Sequence, residues 1–392
     1  MNILLVSSKY PPEYSGSGNR ISLLYERLSK KYNSISPSVI CNSTEYKNSN
    51  ESYIYKNINV SRVSSNIINR KPGLFYKLLK LVDIYIEFFQ TLIIISQKNI
   101  DLIHVIGTSV STTTAIFWAN LKNIPLLIEL VNTGAKPNQN LPLLKYFYKP
   151  SLKSNTKIIA ISEELKKTAE GFTDSELIWC RPNPIDEKKY NYRPEKKEIY
   201  RSEYTPFEMN DVILTSVAKF MPLKNQLFLI DVLNELPDRY KLILCGPLVK
   251  SGIHLNRDQD YLNQIKEKIK NKKLNKRVLL ITEYIDASKY MKLSDIYMMP
   301  HHHEGLGTPM LESLACGTPV IANSSVSAFQ QWIQHGINGY LCKLDIKDWL
   351  KAIKEITSIS QDELLNNSEY LLNHYSTKKI DDEYWKIINS FN

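Results

Sequence analysis

Residues Met299 to Ala322 read MPHHHEGLGTPMLESLACGTPVIA. Two glutamates, Glu304 and Glu312, bracket a Gly305-Leu306-Gly307-Thr308-Pro309 turn whose composition leads into a helix. One carboxylate then lies at the turn and the other about two helical turns further on. Between them sit the backbone N–H groups of the turn and a helix N-terminus, a natural site for an anion. Carboxylates accept hydrogen bonds from hydroxyls, and amide N–H groups donate them to phosphate. The ligand expected for both together is a sugar joined to a phosphate.

Short apolar runs alternate with helical stretches on either side of this segment. In the first half the strand candidates are Ile3–Ser7, Ser38–Cys41, Val60–Val63, Leu102–Ile106, Leu126–Leu130 and Lys157–Ile161. Helical stretches such as Asn19–Lys31, Ser111–Leu121 and Glu163–Glu170 separate them. Continuous apolar strands suit parallel pairing with both faces covered. The pattern is a doubly wound α/β sheet. It fails after Pro182-Asn-Pro184, where a polar stretch from Asp186 to about Asn210 reads as the linker. A second series follows: Val212–Val217, Tyr240–Cys245, Val278–Ile281, Ile296–Met299, Pro319–Ala322 and Gly339–Leu341. The expected division is residues 1–190, a linker at 191–210, and 211–375, with a helix at 376–392 returning to the first domain. Two such domains facing one another would form a cleft lined by the loops after their strands.

Those loops hold few chemically useful residues. Lys219 and Lys224 follow Val212–Val217 and suit a diphosphate at a helix start; the plainer reading is two surface lysines. Gly246-Pro247 ends the next strand with a residue that permits close backbone approach. Ser15-Gly16-Ser17-Gly18 lies between a strand and a helix but lacks the dinucleotide fingerprint spacing, which argues against a nicotinamide enzyme. His104 falls near the end of a strand pointing at the cleft, where a functional role and a structural one compete evenly. His301-His302-His303 invites a metal reading, but three consecutive side chains of an extended segment cannot easily face one ion.

Composition narrows the class. A chain of 392 residues with 43% hydrophobic and 23% charged content is an ordinary globular protein of two domains. Cys41, Cys180, Cys245, Cys316 and Cys342 are scattered and odd in number, as reduced thiols of a reducing compartment are. The N-terminus enters a buried-strand run directly, so a cytoplasmic protein without a signal peptide is expected. Net charge is +10, but the densest basic run, Lys266–Arg277, has no interleaved aromatics to stack bases, and no nucleic-acid partner is expected.

Leu74–Ser96 is rich in Leu, Ile, Phe and Tyr but interrupted by Lys77, Lys80, Asp83 and Glu87, so it is no spanning helix. The favoured reading is a helix packed on the sheet with its charged side in water. The alternative is an interfacial helix on a membrane surface, with Arg70, Lys71, Lys77 and Lys80 at its start.

The block Glu304, Gly305, Gly307, Pro309, Glu312, Ala315, Gly317, Pro319 and Val320 resembles the donor-site signature of the retaining glycosyltransferases called group 1, or family four, of GT-B fold. The likeness extends over nearly the whole chain. Lys219 and Lys224 fall where that family has an Arg and a Lys on the donor phosphates; Gly246-Pro247, Ser162, Asn183 with Asp186, and His104 also match. The resemblance implies that Glu304 bonds donor-sugar hydroxyls, Glu312 the ribose, and His104 approaches the sugar. Gly16, Lys219, Lys224 and the Gly305–Thr308 amides would hold the diphosphate of a nucleotide-sugar donor without a metal or other cofactor. The implied partner is a glycan or lipid-linked glycan acceptor. It would bind around Tyr10–Arg20, Leu74–Ser96 and Asn132–Asn140, and a surface-polysaccharide role would bring peripheral membrane contact. Departures are Lys219 for Arg, Ser15 for the first glycine of a Gly-Gly turn, and Glu283 where a glycine usually follows the third strand. Rival classes are a sugar-nucleotide epimerase, a glycan phosphorylase, and a non-catalytic nucleotide-sugar-binding subunit.

Overall fold

In the computed structural model the described residues are 1–13, 15–42, 50–65, 73–131, 155–248 and 254–391. The chain divides into two compact units, Met1–Arg181 with Asp381–Asn392, and Pro182–Ile380.

The first unit is built on an eight-stranded sheet in the order β3-β4-β2-β1-β5-β6-β7-β8. These are β1 (Asn2–Ser7), β2 (Ser36–Cys41), β3 (Glu51–Tyr55), β4 (Ile58–Arg62), β5 (Leu102–Ile106), β6 (Leu126–Leu130), β7 (Thr156–Ala160) and β8 (Ile178–Cys180). All pairs are parallel except β3–β4, an edge hairpin turned by Lys56 and Asn57, both at positive φ (48° and 62°). Two left-handed residues match the twist of the flanking strands. The sequence reading missed β3 because its turn has no glycine, and missed β8 because it is only three residues long. Among the helices are α1 (Gly16–Lys31), α2 (Tyr76–Ser96) and α3 (Val110–Lys122).

The second unit has a six-stranded parallel sheet in the order β11-β10-β9-β12-β13-β14. Its strands are β9 (Val212–Val217), β10 (Tyr240–Cys245), β11 (Val278–Ile281), β12 (Ile296–Met299), β13 (Val320–Asn323) and β14 (Gly339–Cys342). β12 is buried along its length, as expected of a central strand covered on both faces. Leu242, Leu244, Met298, Ile321 and Trp349 lie in the core on one side of this sheet, and Ile213, Ile243 and Leu293 on the other. Each large side chain enclosed in this way contributes about 1.5–3 kcal/mol relative to exposure. The chain order reverses between β9 and β12, so the loops after these strands diverge and leave a crevice at the carboxyl edge.

Two expectations need correction. The first unit ends at Arg181, not near residue 190, and residues 191–210 are not a linker. They contain the helix Lys197–Tyr204, held in the second unit by its polar groups. Arg201 is buried, with Nη2 2.6 Å from Asp295 Oδ2 and Nε donating to the Leu293 carbonyl at 2.9 Å. Lys197 Nζ adds a 2.8 Å contact to Asp295. Tyr200 and Tyr204, at i,i+4, also pack against the Ile213, Ile243 and Leu293 core.

The second correction concerns α2. Its acidic side chains do not face water: Asp83 and Glu87 are buried, and the exposed face is apolar beyond Lys77 and Lys80 at its start. Arg70, Lys71 and Asn132–Asn140 lie outside the described residues. Among the described residues no helix is long and apolar enough to cross a membrane.

The helix Thr377–Asn389 ends in the first unit. Asp381 accepts two hydrogen bonds from Arg27, at 2.5 and 2.9 Å, and Trp385 stacks on Tyr32 with ring centroids 3.9 Å apart.

Candidate active site

The chemistry of the second unit gathers at the carboxyl edge of its sheet, at the switch point between β9 and β12. After β12 the chain runs through His301 to Glu304 and Gly307 before entering the helix Thr308–Ala315. After β9 it passes Lys219 and makes a short turn, Pro222–Lys224, with Asn225 left-handed (φ 52°) at its end. The His302 N–H donates to the Leu223 carbonyl at 3.0 Å, tying the two loops together. Asn323 Nδ2 donates to the His301 carbonyl at 2.9 Å and fixes the same loop from β13.

This scaffold brings Lys224 and Glu304 into a direct ion pair. His301 Nδ1 lies 2.8 Å from the same Glu304 oxygen, Oε1. Burial alone would raise the Glu304 pKa, but the His301 hydrogen bond and the Lys224 charge hold it at about 2. Glu304 is therefore an acceptor at any working pH. Burial also lowers the pKa of His301, so its ring is neutral and Nδ1 carries the proton it donates. His302 and His303 are exposed while His301 is buried, so the three rings do not converge.

Gly307 is left-handed (φ +82°), and a Cβ there would come 2.8 Å from Phe329 Cε1. Only glycine makes this turn without displacing the ring. No side chain caps the Thr308–Ala315 helix; in its first turn Pro309 has no N–H and the Met310 N–H donates to the Gly307 carbonyl at 2.9 Å, which leaves the Thr308 N–H at the loop. Thr308 Oγ1 accepts from Asn183 Nδ2 at 2.8 Å, which anchors the start of this helix to the Pro182–Pro184 turn. The Leu306 side chain is buried, so only the backbone of that residue is available to a ligand.

Glu312, one turn into the same helix, is half-buried. Its burial pushes the carboxyl pKa up to about 8, although the Tyr190 hydroxyl bonds to it and opposes the rise. Gly246 follows β10, with its N–H on the Ile281 carbonyl at 3.1 Å. A Cβ on Gly246 would lie 2.1 Å from the Ala218 carbonyl oxygen, so this glycine lets the ends of β9 and β10 close up beside Lys219. Glu283 is exposed after β11, with β10 and β9 between it and β12.

Two expected site residues belong to the first unit. His104 is a correction: it sits in the middle of β5, fully buried, and does not face outward from a strand end. Its Nδ1 is 2.9 Å from the Tyr25 hydroxyl and its Nε2 is 3.6 Å from Glu129 Oε2. Glu129 in turn pairs with Arg20 and Arg181 and accepts from the Tyr384 hydroxyl at 2.8 Å. Burial works against its ionisation, but the two guanidinium groups hold its pKa well below the usual carboxylate range. His104 thus belongs to a buried ionic core that secures the C-terminal helix.

Gly16 opens α1, and a Cβ there would meet nothing within 4 Å. The steric demand falls on Gly18, whose added Cβ would be 2.4 Å from the Lys9 carbonyl oxygen. Ser15, in the place of the expected glycine, caps α1 by accepting from Gly18 N at 3.2 Å.

Sequence reasoning missed His301 as the partner of Glu304 and Tyr190 as the partner of Glu312. The first was accessible from the i,i+3 spacing of His301 and Glu304. The second joins residues far apart in the chain and had no signal.

Two doubly wound α/β domains, one with Lys224 and Glu304 paired at its switch point, have the GT-B architecture. Residues 197–371, in the second unit, match the family model described as glycosyl transferases group 1. It is 23% identical over 282 residues to an Escherichia coli UDP-Gal:alpha-D-GlcNAc-diphosphoundecaprenol alpha-1,3-galactosyltransferase, covering 70% of each chain. It is 25% identical over 374 residues to an uncharacterized glycosyltransferase of Methanocaldococcus jannaschii, covering 94% of this chain and 90% of that one. The crystal structure of Anabaena HepE in complex with UDP-glucose superposes with a TM-score of 0.72 at 18% identity, over 100% of both chains.

Proposed function

We propose that this enzyme moves a hexosyl unit from a nucleotide-diphosphate sugar to a glycan or lipid-linked glycan, with retention of anomeric configuration, in surface-polysaccharide synthesis at the cytoplasmic face of a membrane. The observation that carries the reading is the His301–Glu304–Lys224 cluster beside the uncapped Thr308 helix. An ionised carboxylate held between two donors suits sugar hydroxyls. A lysine together with the amides of the Gly305–Thr308 turn suits a departing diphosphate. Lys219 supplies a further positive charge after β9, and Glu312 meets the ribose. The acceptor class follows that of the Escherichia coli relative, which acts on alpha-D-GlcNAc-diphosphoundecaprenol.

In this reaction the bond from the anomeric carbon to the donor phosphate oxygen breaks, and a bond from that carbon to the acceptor oxygen forms on the same face. The acceptor's proton passes to the leaving phosphate oxygen. No paired carboxylates at glycosidase spacing are required, because the leaving group itself takes the proton. Positive charge and amide dipoles stabilise the diphosphate, and the step proceeds without a metal.

The test is a screen of nucleotide sugars with lipid-linked and free glycan acceptors, reading nucleotide release and product configuration by NMR. An α-linked product from an α-donor, formed equally with chelator present, is expected. Epimerised donor without acceptor, phosphate-dependent cleavage, or binding without turnover would each overturn the proposal.

A further inference from the structure

α2 buries polar groups beside Phe88 and Ile95 and leaves a further apolar face outside. Its inward face carries Asp83, Glu87 and Thr91, all buried. Glu87 Oε1 accepts from Asn42 Nδ2 at 2.8 Å and from the Ser111 N–H at 3.2 Å, and the Thr91 and Ser111 hydroxyls are 2.9 Å apart. Such satisfied polar contacts are specific in direction, so they fix which side of the helix faces α3. The opposite side carries Leu78, Leu79, Val82, Ile86, Phe89 and Ile93, between 40% and 59% exposed. From Leu79 onward the spacing is 3,4,3,4, one unbroken stripe about 20 Å long. An apolar stripe of this extent on a soluble surface marks a contact with something else.

The charges indicate what that something is. Both acidic side chains of α2 are buried, so Lys77 and Lys80 are the only charged groups it presents outward, both in its first turns. A second copy of the same helix would offer Lys77 and Lys80 no opposite charge on its outer face, whereas an anionic surface would. A basic end beside an apolar stripe complements anionic headgroups over acyl chains. We infer that α2 is the surface by which the protein rests on an anionic membrane, its stripe at the acyl boundary and Lys77 and Lys80 among the headgroups. The inference deepens the transferase reading by giving the enzyme a place to meet a lipid-linked acceptor.

The experiment is co-sedimentation of the full chain with vesicles of phosphatidylglycerol and phosphatidylcholine, against phosphatidylcholine alone, without substrates. Binding to the anionic vesicles is expected, weakened about tenfold or more by Ile86→Glu with Phe89→Glu, and also by Lys77→Glu with Lys80→Glu. Melting temperatures should stay unchanged, since all four side chains point away from the core. No binding by the native chain, or equal binding by the stripe variant, would overturn the inference. So would a native dimer that the stripe variant converts to monomer, because the stripe would then belong to a second copy. Vesicle binding is read without turnover, so a protein that binds vesicles but transfers no sugar would overturn the transferase proposal alone.

Discussion

His301 Nδ1 stands 2.8 Å from Glu304 Oε1, the same oxygen that pairs with Lys224. One carboxylate oxygen therefore has two fixed donors, and Glu304 Oε2 is not occupied by either. A carboxylate fixed in this way is oriented before any ligand arrives, so reorganisation on binding is small. Removing Glu304 or Lys224 should lower turnover by roughly a hundredfold or more, the size of losing a key electrostatic group. His301→Ala should cost less, about tenfold, because it removes orientation and not charge. His301→Asn, which can still donate to the carboxylate, should recover part of that loss. Steady-state kinetics on the four proteins check the order, and near-normal rates for Glu304→Ala and Lys224→Ala would refute the site.

Glu304 also sets a pH expectation. With its pKa held at about 2, it stays ionised wherever the protein is folded and contributes no titration to kcat between pH 5 and 9. The stability it contributes is present above the ordinary glutamate pKa and lost as pH falls through about 2. A pH–rate profile with an acidic limb that vanishes in Glu304→Gln would contradict this.

Glu312 has the opposite sign. Burial raises its pKa to about 8, so between the ordinary glutamate value and 8 the native protein holds a proton that the unfolded chain releases. Stability from this group is complete at low pH and falls as pH rises through that window. Glu312→Gln removes the dependence, so its melting temperature should gain on the native protein from pH 5 to pH 8.5. Thermal melts at the two pH values read the difference; equal gains at both would show that Glu312 does not titrate in that range.

The glycines separate by what surrounds them. Gly246→Ala would drive a Cβ to 2.1 Å from the Ala218 carbonyl oxygen, and overpacking of this kind costs about 1–3 kcal/mol. Gly18→Ala meets a backbone oxygen in the same way. Gly16→Ala meets nothing, and its stability should stay within about 0.5 kcal/mol of native. Urea unfolding of the three variants checks the ranking.

His104 is expected to act through stability. It packs beside Glu129 with Arg20, Arg181 and Tyr384, so His104→Ala should weaken folding. Glu129→Gln should cost more, about 3–5 kcal/mol, because it strands the buried Arg181 guanidinium and the partly buried one of Arg20. If His104→Ala instead melts like the native protein while kcat falls steeply, the catalytic reading of His104 is restored.

Sequence alone determined most of the architecture. β5, β6, β9, β10, β11 and β12 begin and end where the apolar runs do, because covered parallel strands are mostly apolar, with His104 in β5 and Glu129 in β6 as exceptions. It also placed Glu304, Lys224 and the Gly305–Gly307 turn at strand ends, since the motif is continuous in the chain. Tertiary structure decided which polar groups are partners. His301 joins Glu304, Tyr190 joins Glu312, and His104 lies inside a charge cluster assembled from β5, β6, α1 and the C-terminal helix. Burial and pairing belong to contacts between distant segments, and residue type does not encode them. For α2 the sequence favoured a helix with its charged side in water, and which side faces in was decided by the fold. The answer came from Asn42 and Ser111, whose hydrogen bonds draw Glu87 inward and leave Val82, Ile86 and Phe89 outside.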